Sequence, residues 1–330
     1  MRICVVGAGA IGGVAGANFA LAGHEVTFIA RGANRDAINA RGLRVTYADG
    51  RVATARAAAT DDFARAGKFD LVILAVKAHQ LGDVAPHVES LCGHDTVVLP
   101  MQNGIPFWYF HRHGGALEGR AIESVDPGGR IRDAIDPRRI IGCVIFVAAE
   151  RVAPGEVKHT AYDRFPMGEL DGSSSERIAK ISQAFVSAGF QAPVIADIRD
   201  EVWVKIWGNV TFNPISALTR ATLDSICTDA DGRDLAVRMM RETQAVAEKL
   251  GVKFRVSIDK RIEGASRVGP HKTSMLQDVE GGRALELDAL VGSVVELGEL
   301  VGVPTPTVLA IYQASKLLDR TLQAARPAPA

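Results

Sequence analysis

The sequence predicts an α/β protein with an N-terminal Rossmann-type dinucleotide-binding domain followed by an all-helical C-terminal domain. Three observations carry this. Short apolar runs alternate with helix-like stretches through the first half, a glycine-rich turn joins the first run to the first such stretch, and from about Ile198 the pattern changes to long helical periodicity. Length agrees, since 330 residues at about 150 per domain make two domains, here divided as 1–196 and 197–330. A hydrophobic content of 47% with 23% charged residues supplies a sizeable core and excludes disorder. The 38 basic and 38 acidic side chains cancel, so no global field draws the chain onto nucleic acid or anionic lipid, and neither is expected as a partner.

The first strand is expected at Arg2–Val6, a helix at Ile11–Leu21, a second strand at Glu25–Ile29 and a helix at Asn34–Ala40, which is βαβ rhythm. Leu43–Tyr47 and Arg51–Thr54 flank Ala48-Asp49-Gly50 and predict a small hairpin at a polar edge rather than a core strand. Phe69–Val76 (FDLVILAV) and Thr96–Leu99 (TVVL) are continuous apolar runs, the signature of strands covered on both faces of a parallel sheet, and a further strand is expected within Ile140–Ala148. Helical periodicity then marks Asp200–Asn213, Asp229–Leu250, Ile258–Ser266, Leu285–Val301 and Thr307–Ala325. Gly251 and Gly302 stand where C-terminal caps belong, with Pro304 and Pro306 after the second of them. The Arg326–Ala330 tail (RPAPA) is expected to fray. Glycines at 7, 9, 12, 13 and 16 would interrupt the centre of a signal helix, and no apolar run approaches the roughly 18 residues of a membrane span, so neither a targeting segment nor a span is expected. Cys4, Cys92, Cys143 and Cys227 are far apart and form no CxxC pair, which fits a reducing cytoplasm.

The run Gly7-Ala8-Gly9-Ala10-Ile11-Gly12 matches GxGxxG between a strand and an Ala-rich helix. Gly7 serves the tight turn, Gly9 lets the backbone approach a pyrophosphate, Gly12 lets helix and strand pack closely, and the N–H groups that open the helix hold the anion. About 20 residues on, an Asp or Glu would take the ribose 2′-OH of NAD. Here the sequence reads Ile29-Ala30-Arg31-Gly32, with no carboxylate, and the guanidinium of Arg31 suits a 2′-phosphate, with Arg35 one turn away as support. The expected cofactor is therefore NADP(H).

Lys205, Asn209 and Asn213 are spaced i, i+4, i+8 and fall within about 80° on a helix. The rest of Trp203–Pro214 is strongly apolar, so the three polar heads form a stripe suited to a ligand cleft, although asparagines also cap and lysines also snorkel. Pro214 is expected to kink or end the helix there and to release polar groups for a ligand. Reducing a ketone needs a proton for the developing alkoxide; a lysine ammonium, with a reference pKa near about 10.4, can polarise the carbonyl and supply that proton, which makes Lys205 the candidate general acid. Lys77, in Val76-Lys77-Ala78, and Asn103, in Gln102-Asn103-Gly104, each follow a predicted strand at the carboxyl end, where open α/β sheets bind ligands. The eight histidines offer no metal-ligand spacing and no nucleophile–base pair, so no metal is expected; Trp203 and Trp207 read as core.

With GAGAIG, Arg31, VKA, QNG, KIWGNVTFNP, Ser274-Met275-Leu276-Gln277-Asp278 and Glu286-Leu287-Asp288 in this order, essentially the whole chain resembles ketopantoate reductases, also called 2-dehydropantoate 2-reductases. The resemblance implies NADPH-dependent reduction of 2-dehydropantoate to (R)-pantoate on the route to coenzyme A. By the same resemblance Lys205 matches the catalytic acid and Glu286 the acidic residue that binds substrate and supports catalysis. Asn209, Asn213 and Ser274 match substrate contacts, Lys77 and Asn103 match positions lining the nicotinamide and substrate crevice, and Arg31 matches the 2′-phosphate ligand. From the residues alone, Glu286 could instead complement a helix dipole in a first turn. Two departures bear on the substrate: Phe107–Arg138 is longer than the family leads one to expect, and Val291-Gly292 stands where the family usually has Asn-Gly. They keep open a paralogue acting on another 2-oxo acid; a non-catalytic NADPH sensor would have no reason to hold Lys205, Asn209, Asn213 and Glu286 together. A homodimer is compatible with the sequence but not derivable from it.

Overall fold

The computed structural model describes residues 1–325, so the RPAPA tail lies outside the described residues. By its internal contacts the chain separates into two units: Met1–Ala121 with Gly128–Ile198, and Ile122–Pro127 with Arg199 onward. A single division at 196/197 thus does not separate the short excursion Ile122–Pro127, which groups with the helical unit.

In the first unit, β1 (Arg2–Val6), α1 (Ala10–Leu21), β2 (Glu25–Ile29), α2 (Gly32–Arg41), β3 (Leu43–Thr46), β4 (Val52–Ala55), β5 (Ala58–Thr60), β6 (Phe69–Leu74), α3 (Leu81–Val88) and β7 (Cys92–Pro100) follow one another. Five of these strands form a sheet in the order β5-β2-β1-β6-β7, parallel throughout. The continuous apolar runs explain it: Ile3 to Val6 and Leu71 to Leu74 are at most 1% exposed, as strands covered on both faces must be. Helix α1 carries Gly13 and Gly16 on its buried side; a Cβ at Gly16 would meet the Phe28 ring at 2.4 Å, so small residues let α1 lie close on the sheet.

The chain continues through α4 (Arg130–Ala134), β8 (Ile141–Cys143), β9 (Phe146–Ala153), β10 (Glu156–Arg164), β11 (Met167–Glu169) and α5 (Glu176–Ser187). Two expectations are corrected here. The single strand sought in Ile140–Ala148 is two strands, because at Val144 the N–H turns to the Pro166 carbonyl (3.0 Å) and the chain passes from the β8–β11 pair to a second sheet. That sheet has the order β4-β3-β10-β9, and it makes β3 an interior strand: Leu43 and Val45 are fully buried while Arg44 is exposed, so the hairpin is half core, with only β4 at the edge.

Glu169 at the end of β11 is buried and forms an ion pair with Arg177 of α5 (Nε–Oε1 2.8 Å), with the Ser175 hydroxyl donating to the same oxygen (2.6 Å). Burial alone would push the Glu169 carboxyl up, but the Arg177 and Ser175 hydrogen bonds and the Arg177 charge outweigh it and hold it below the usual carboxylate range. A carboxyl lowered in the folded state contributes stability in full above its unfolded value, about 4.3, and loses it as pH falls through the folded value. Glu169→Gln is expected to cost about 2 kcal/mol at pH 7, less than for a fully dry pair because Arg177 is partly exposed. In urea unfolding the gap between variant and wild type should narrow as pH drops below about 4; a gap independent of pH would contradict this.

The second unit contains α6 (Ile198–Thr219, from Arg199), α7 (Leu223–Thr228), α8 (Ala230–Lys249), α9 (Ile258–Ser266), α10 (Ser274–Glu280), a π-helical turn at Asp288–Gly292 leading into α11 (Ser293–Val301), and α12 (Pro306–Ala324). Its described residues outside the excursion are helical or connecting. Gly251 and Gly302 take positive φ behind α8 and α11, as their cap positions require. The amino end of α12 is capped across the unit: the Glu242 carboxylate of α8 accepts the Thr307 and Val308 N–H groups, both at 2.9 Å. No helix among the described residues is long and apolar enough to cross a membrane.

Candidate active site

At the end of β1, Gly7 takes φ +103° and its N–H bonds the Ile29 carbonyl (3.0 Å), a turn open to few residues other than glycine. A Cβ at Gly12 would stand 2.1 Å from the Gly7 carbonyl oxygen and 2.8 Å from the Ala75 Cβ, so only hydrogen fits there. Gly9 differs: nothing lies within 4 Å of a Cβ built on it. Gly9 also caps α1 without a side-chain bond, so no cap side chain covers the N–H groups that open the helix at Ala10 and Ile11. Ala8 is pinned from α2, where Asn34 donates to its carbonyl (2.8 Å) and accepts from the Gly155 N–H (2.8 Å). The turn is therefore rigid on the protein side and open toward a ligand, a cradle that fits a pyrophosphate.

Arg31 is exposed at the N-cap of α2, directly after β2. Arg35, expected to support it, is instead held by Asp61 (2.6 Å) and Asp36 (2.8 Å), so its charge is already matched. Lys77 and Asn103 are both half-buried behind the carboxyl ends of β6 and β7. Gln102 ties the two loops together, its Nε2 donating to the carbonyls of Leu74 (2.7 Å) and Val76 (3.2 Å). The glycine turn joins them, since a Cβ at Gly7 would touch the Ala75 backbone and Val76 at 3.0 Å. Three loops at one end of the sheet are thus brought together. The Asn34 clasp carried no motif of its own in the sequence; Gln102 belongs to the Gln102-Asn103-Gly104 motif, and only the fold shows its two partners.

In the second unit α6 carries Lys205 and Asn209 half-buried and Asn213 at 5% exposure. Asn213 Nδ2 lies 3.5 Å from Ser274 Oγ at the start of α10, which joins two predicted site residues that are 61 positions apart in sequence. Thr273 fixes that start by accepting the Leu276 N–H (3.2 Å). Trp203 and Trp207 are fully buried, and Trp207 donates to the Met240 carbonyl (2.9 Å) and packs on Phe254 at 4.4 Å, so the tryptophans anchor the helix as core. Of the kink or end expected at Pro214, the end does not occur: α6 runs on to Thr219 with the proline inside it, because the residues after the proline are buried and the tertiary packing outweighs one missing donor.

Glu286 is half-buried just ahead of the π turn rather than inside a first helical turn. Its neighbours are fixed: Leu285 and Leu287 are buried, the Leu285 N–H bonds Asp319 (3.1 Å), and Asp288 accepts from the Tyr312 hydroxyl and from Lys316 (3.0 Å). In Val291-Gly292 the glycine shared with the family pattern has a packing reason, since a Cβ at Gly292 would meet the Tyr312 hydroxyl at 2.7 Å, whereas the valine in place of asparagine is buried and has no structural explanation. Within Phe107–Arg138, Trp108, Tyr109 and Phe110 are core side chains, and Gly142 leaves room for the Trp108 ring at 2.8 Å. In the excursion, Glu296 of α11 accepts the Glu123 and Ser124 N–H groups, each at 2.7 Å. Among the described residues no three His, Cys, Asp or Glu side chains converge as a metal site.

The profile described as Ketopantoate reductase PanE/ApbA matches residues 3–172, and its C-terminal counterpart matches 197–319. The chain belongs to the ketopantoate reductase family. A 2-dehydropantoate 2-reductase of Mesorhizobium japonicum is 50% identical over 94% of this chain and 95% of its own length. A candidate ketopantoate reductase from Ralstonia solanacearum superposes with a TM-score of 0.93 at 42% identity, covering 97% of this chain and 98% of its own. A D-mandelate dehydrogenase with bound NADH shares the fold of this reductase-family chain, with a TM-score of 0.82 at 21% identity and coverage of 98% and 100%.

Proposed function

We propose that this chain reduces 2-dehydropantoate to (R)-pantoate with NADPH. The observation that carries the reading is the Lys205–Asn209–Asn213 face of α6 joined to Ser274, on a chain that also holds the open Gly9 turn. NADPH, when bound, supplies the hydride that reduces the C2 carbonyl. The Gly7–Gly12 turn (Gly7, Ala8, Gly9, Ala10, Ile11, Gly12) would hold its pyrophosphate through the helix N–H groups, Arg31 its 2′-phosphate, and Lys77 and Asn103 would line the nicotinamide end. Lys205 hydrogen-bonds the C2 oxygen and gives it a proton as negative charge develops, then regains one from water. Asn209, Asn213 and Ser274 orient the substrate, and Glu286 accepts a hydrogen bond from its hydroxyl. The partner is a small 2-oxo acid rather than nucleic acid. Four buried cysteines, none in a disulfide, suit work in the cytoplasm.

Measuring kcat/KM for 2-dehydropantoate beside a panel of other 2-oxo acids tests the substrate: the highest value should belong to 2-dehydropantoate, and a clear preference for another acid would reassign it. Cofactor choice is tested separately. Arg31→Ala is expected to raise the KM for NADPH about tenfold to a hundredfold while leaving that for NADH nearly unchanged, because only the 2′-phosphate contact is lost. Equal effects on both cofactors would remove Arg31 from that role.

A further inference from the structure

We propose that Arg261 recognises the carboxylate of the substrate, an assignment that rests on the 2-oxo acid reductase reading. A Cβ built on Gly208 would stand 2.5 Å from Arg261 Nη2 and 3.3 Å from its Cζ, so the guanidinium from α9 occupies the space a side chain at 208 would fill. Gly208 lies three residues after Lys205 and one before Asn209; on a helix of 3.6 residues per turn it points about 60° from Lys205, on the side away from Asn209 and Asn213. An interior glycine weakens a helix, so Gly208 needs a packing reason, and the seat it gives Arg261 is one. Arg261 is half-buried, on a helix seated by Ile262 and Ala265, both buried, and capped by Ser257, whose Oγ accepts the Lys260 N–H (3.3 Å).

A 2-oxo acid presents two adjacent acceptors, the keto oxygen and the carboxylate. Lys205 serves the first. Among the other substrate residues proposed on this unit, Asn209, Asn213 and Ser274 are neutral and Glu286 repels an anion, so the carboxylate needs a second cation next to Lys205. A guanidinium meets a carboxylate with two parallel N–H bonds and stays charged when partly desolvated. Placed on the far flank of Lys205 from the asparagines, Arg261 sets which end of the substrate lies toward each.

The test uses the full-length protein with NADPH, comparing the 2-oxo acid with its neutral 2-oxo amide in steady state. Arg261→Ala should raise the KM for the acid about thirtyfold to a hundredfold, change kcat by less than about fivefold, leave NADPH binding alone and abolish the preference for acid over amide. Arg261→Lys should restore part of the preference. Gly208→Ala should fold normally, since its clash is with the end of a flexible side chain, yet raise the KM for the acid. An unchanged KM in Arg261→Ala, or equal losses on acid and amide, would overturn the assignment, as would finding that Lys77→Ala alone removes the preference. If the wild type reduces no 2-oxo acid, the functional reading falls first and this assignment with it.

Discussion

Lys205→Ala is expected to lower kcat by about a hundredfold to ten-thousandfold while leaving NADPH binding near wild type. Lys205 is half-buried on a helix whose opposite side is fixed by two buried tryptophans and a 2.9 Å bond from Trp207 to the Met240 carbonyl. The ammonium is thereby presented from a rigid element, which is what transition-state stabilisation of a developing alkoxide requires. Removing it takes away both the proton and the charge at the moment they matter, so kcat and kcat/KM should fall together. Because α6 is anchored by its two buried tryptophans, the melting temperature should stay within a few degrees of wild type. Turnover that survives the substitution would take the acid role away from Lys205.

The second large effect lies in the glycine turn, where Gly9 and Gly12, three residues apart in sequence, have different roles. At Gly12 a methyl group would press to 2.1 Å from the Gly7 carbonyl, which is backbone and cannot swing aside. Gly12→Ala is therefore expected to cost about 3 kcal/mol or more and to lower Tm by roughly 5 to 10 °C. At Gly9 nothing lies within 4 Å and the backbone is extended, at φ −77° and ψ −160°, a conformation open to any residue. Gly9→Val should then melt like the wild type but bind NADPH at least about a hundredfold more weakly, its side chain filling the cradle. Differential scanning fluorimetry with and without NADPH separates the two. A Gly9→Val protein that is stabilised by NADPH as the wild type is would contradict the cradle.

How far the sequence reaches can be read from particular residues. The strands expected at Phe69–Val76 and Thr96–Leu99 are found at Phe69–Leu74 and within Cys92–Pro100, legible because burial on both faces leaves a continuous apolar run. Ile258–Ser266 was legible to the residue because Ser257 caps it. The stripe at 205, 209 and 213 was legible from spacing alone. The second sheet was not: β3 pairs with β10 through Val45 and Val157, which no local pattern connects. At Pro214 local backbone chemistry allows a helix to kink or to end, and burial of Ile215, Ser216 and Ala217 rules out the end by keeping the helix going. Trp108, Tyr109 and Phe110 sit in irregular chain, where burial leaves no periodicity to detect. The contact of Arg261 with Gly208 left one trace, a glycine inside a helical pattern, and that trace does not name the partner.

The most direct measurement is the stoichiometry of the reaction: NADPH absorbance lost on adding 2-dehydropantoate to the purified protein, set against the (R)-pantoate formed. One (R)-pantoate is expected per NADPH oxidised, with the rate collapsing in Lys205→Ala. NADPH that binds but is not consumed, or is consumed without forming (R)-pantoate, would contradict this.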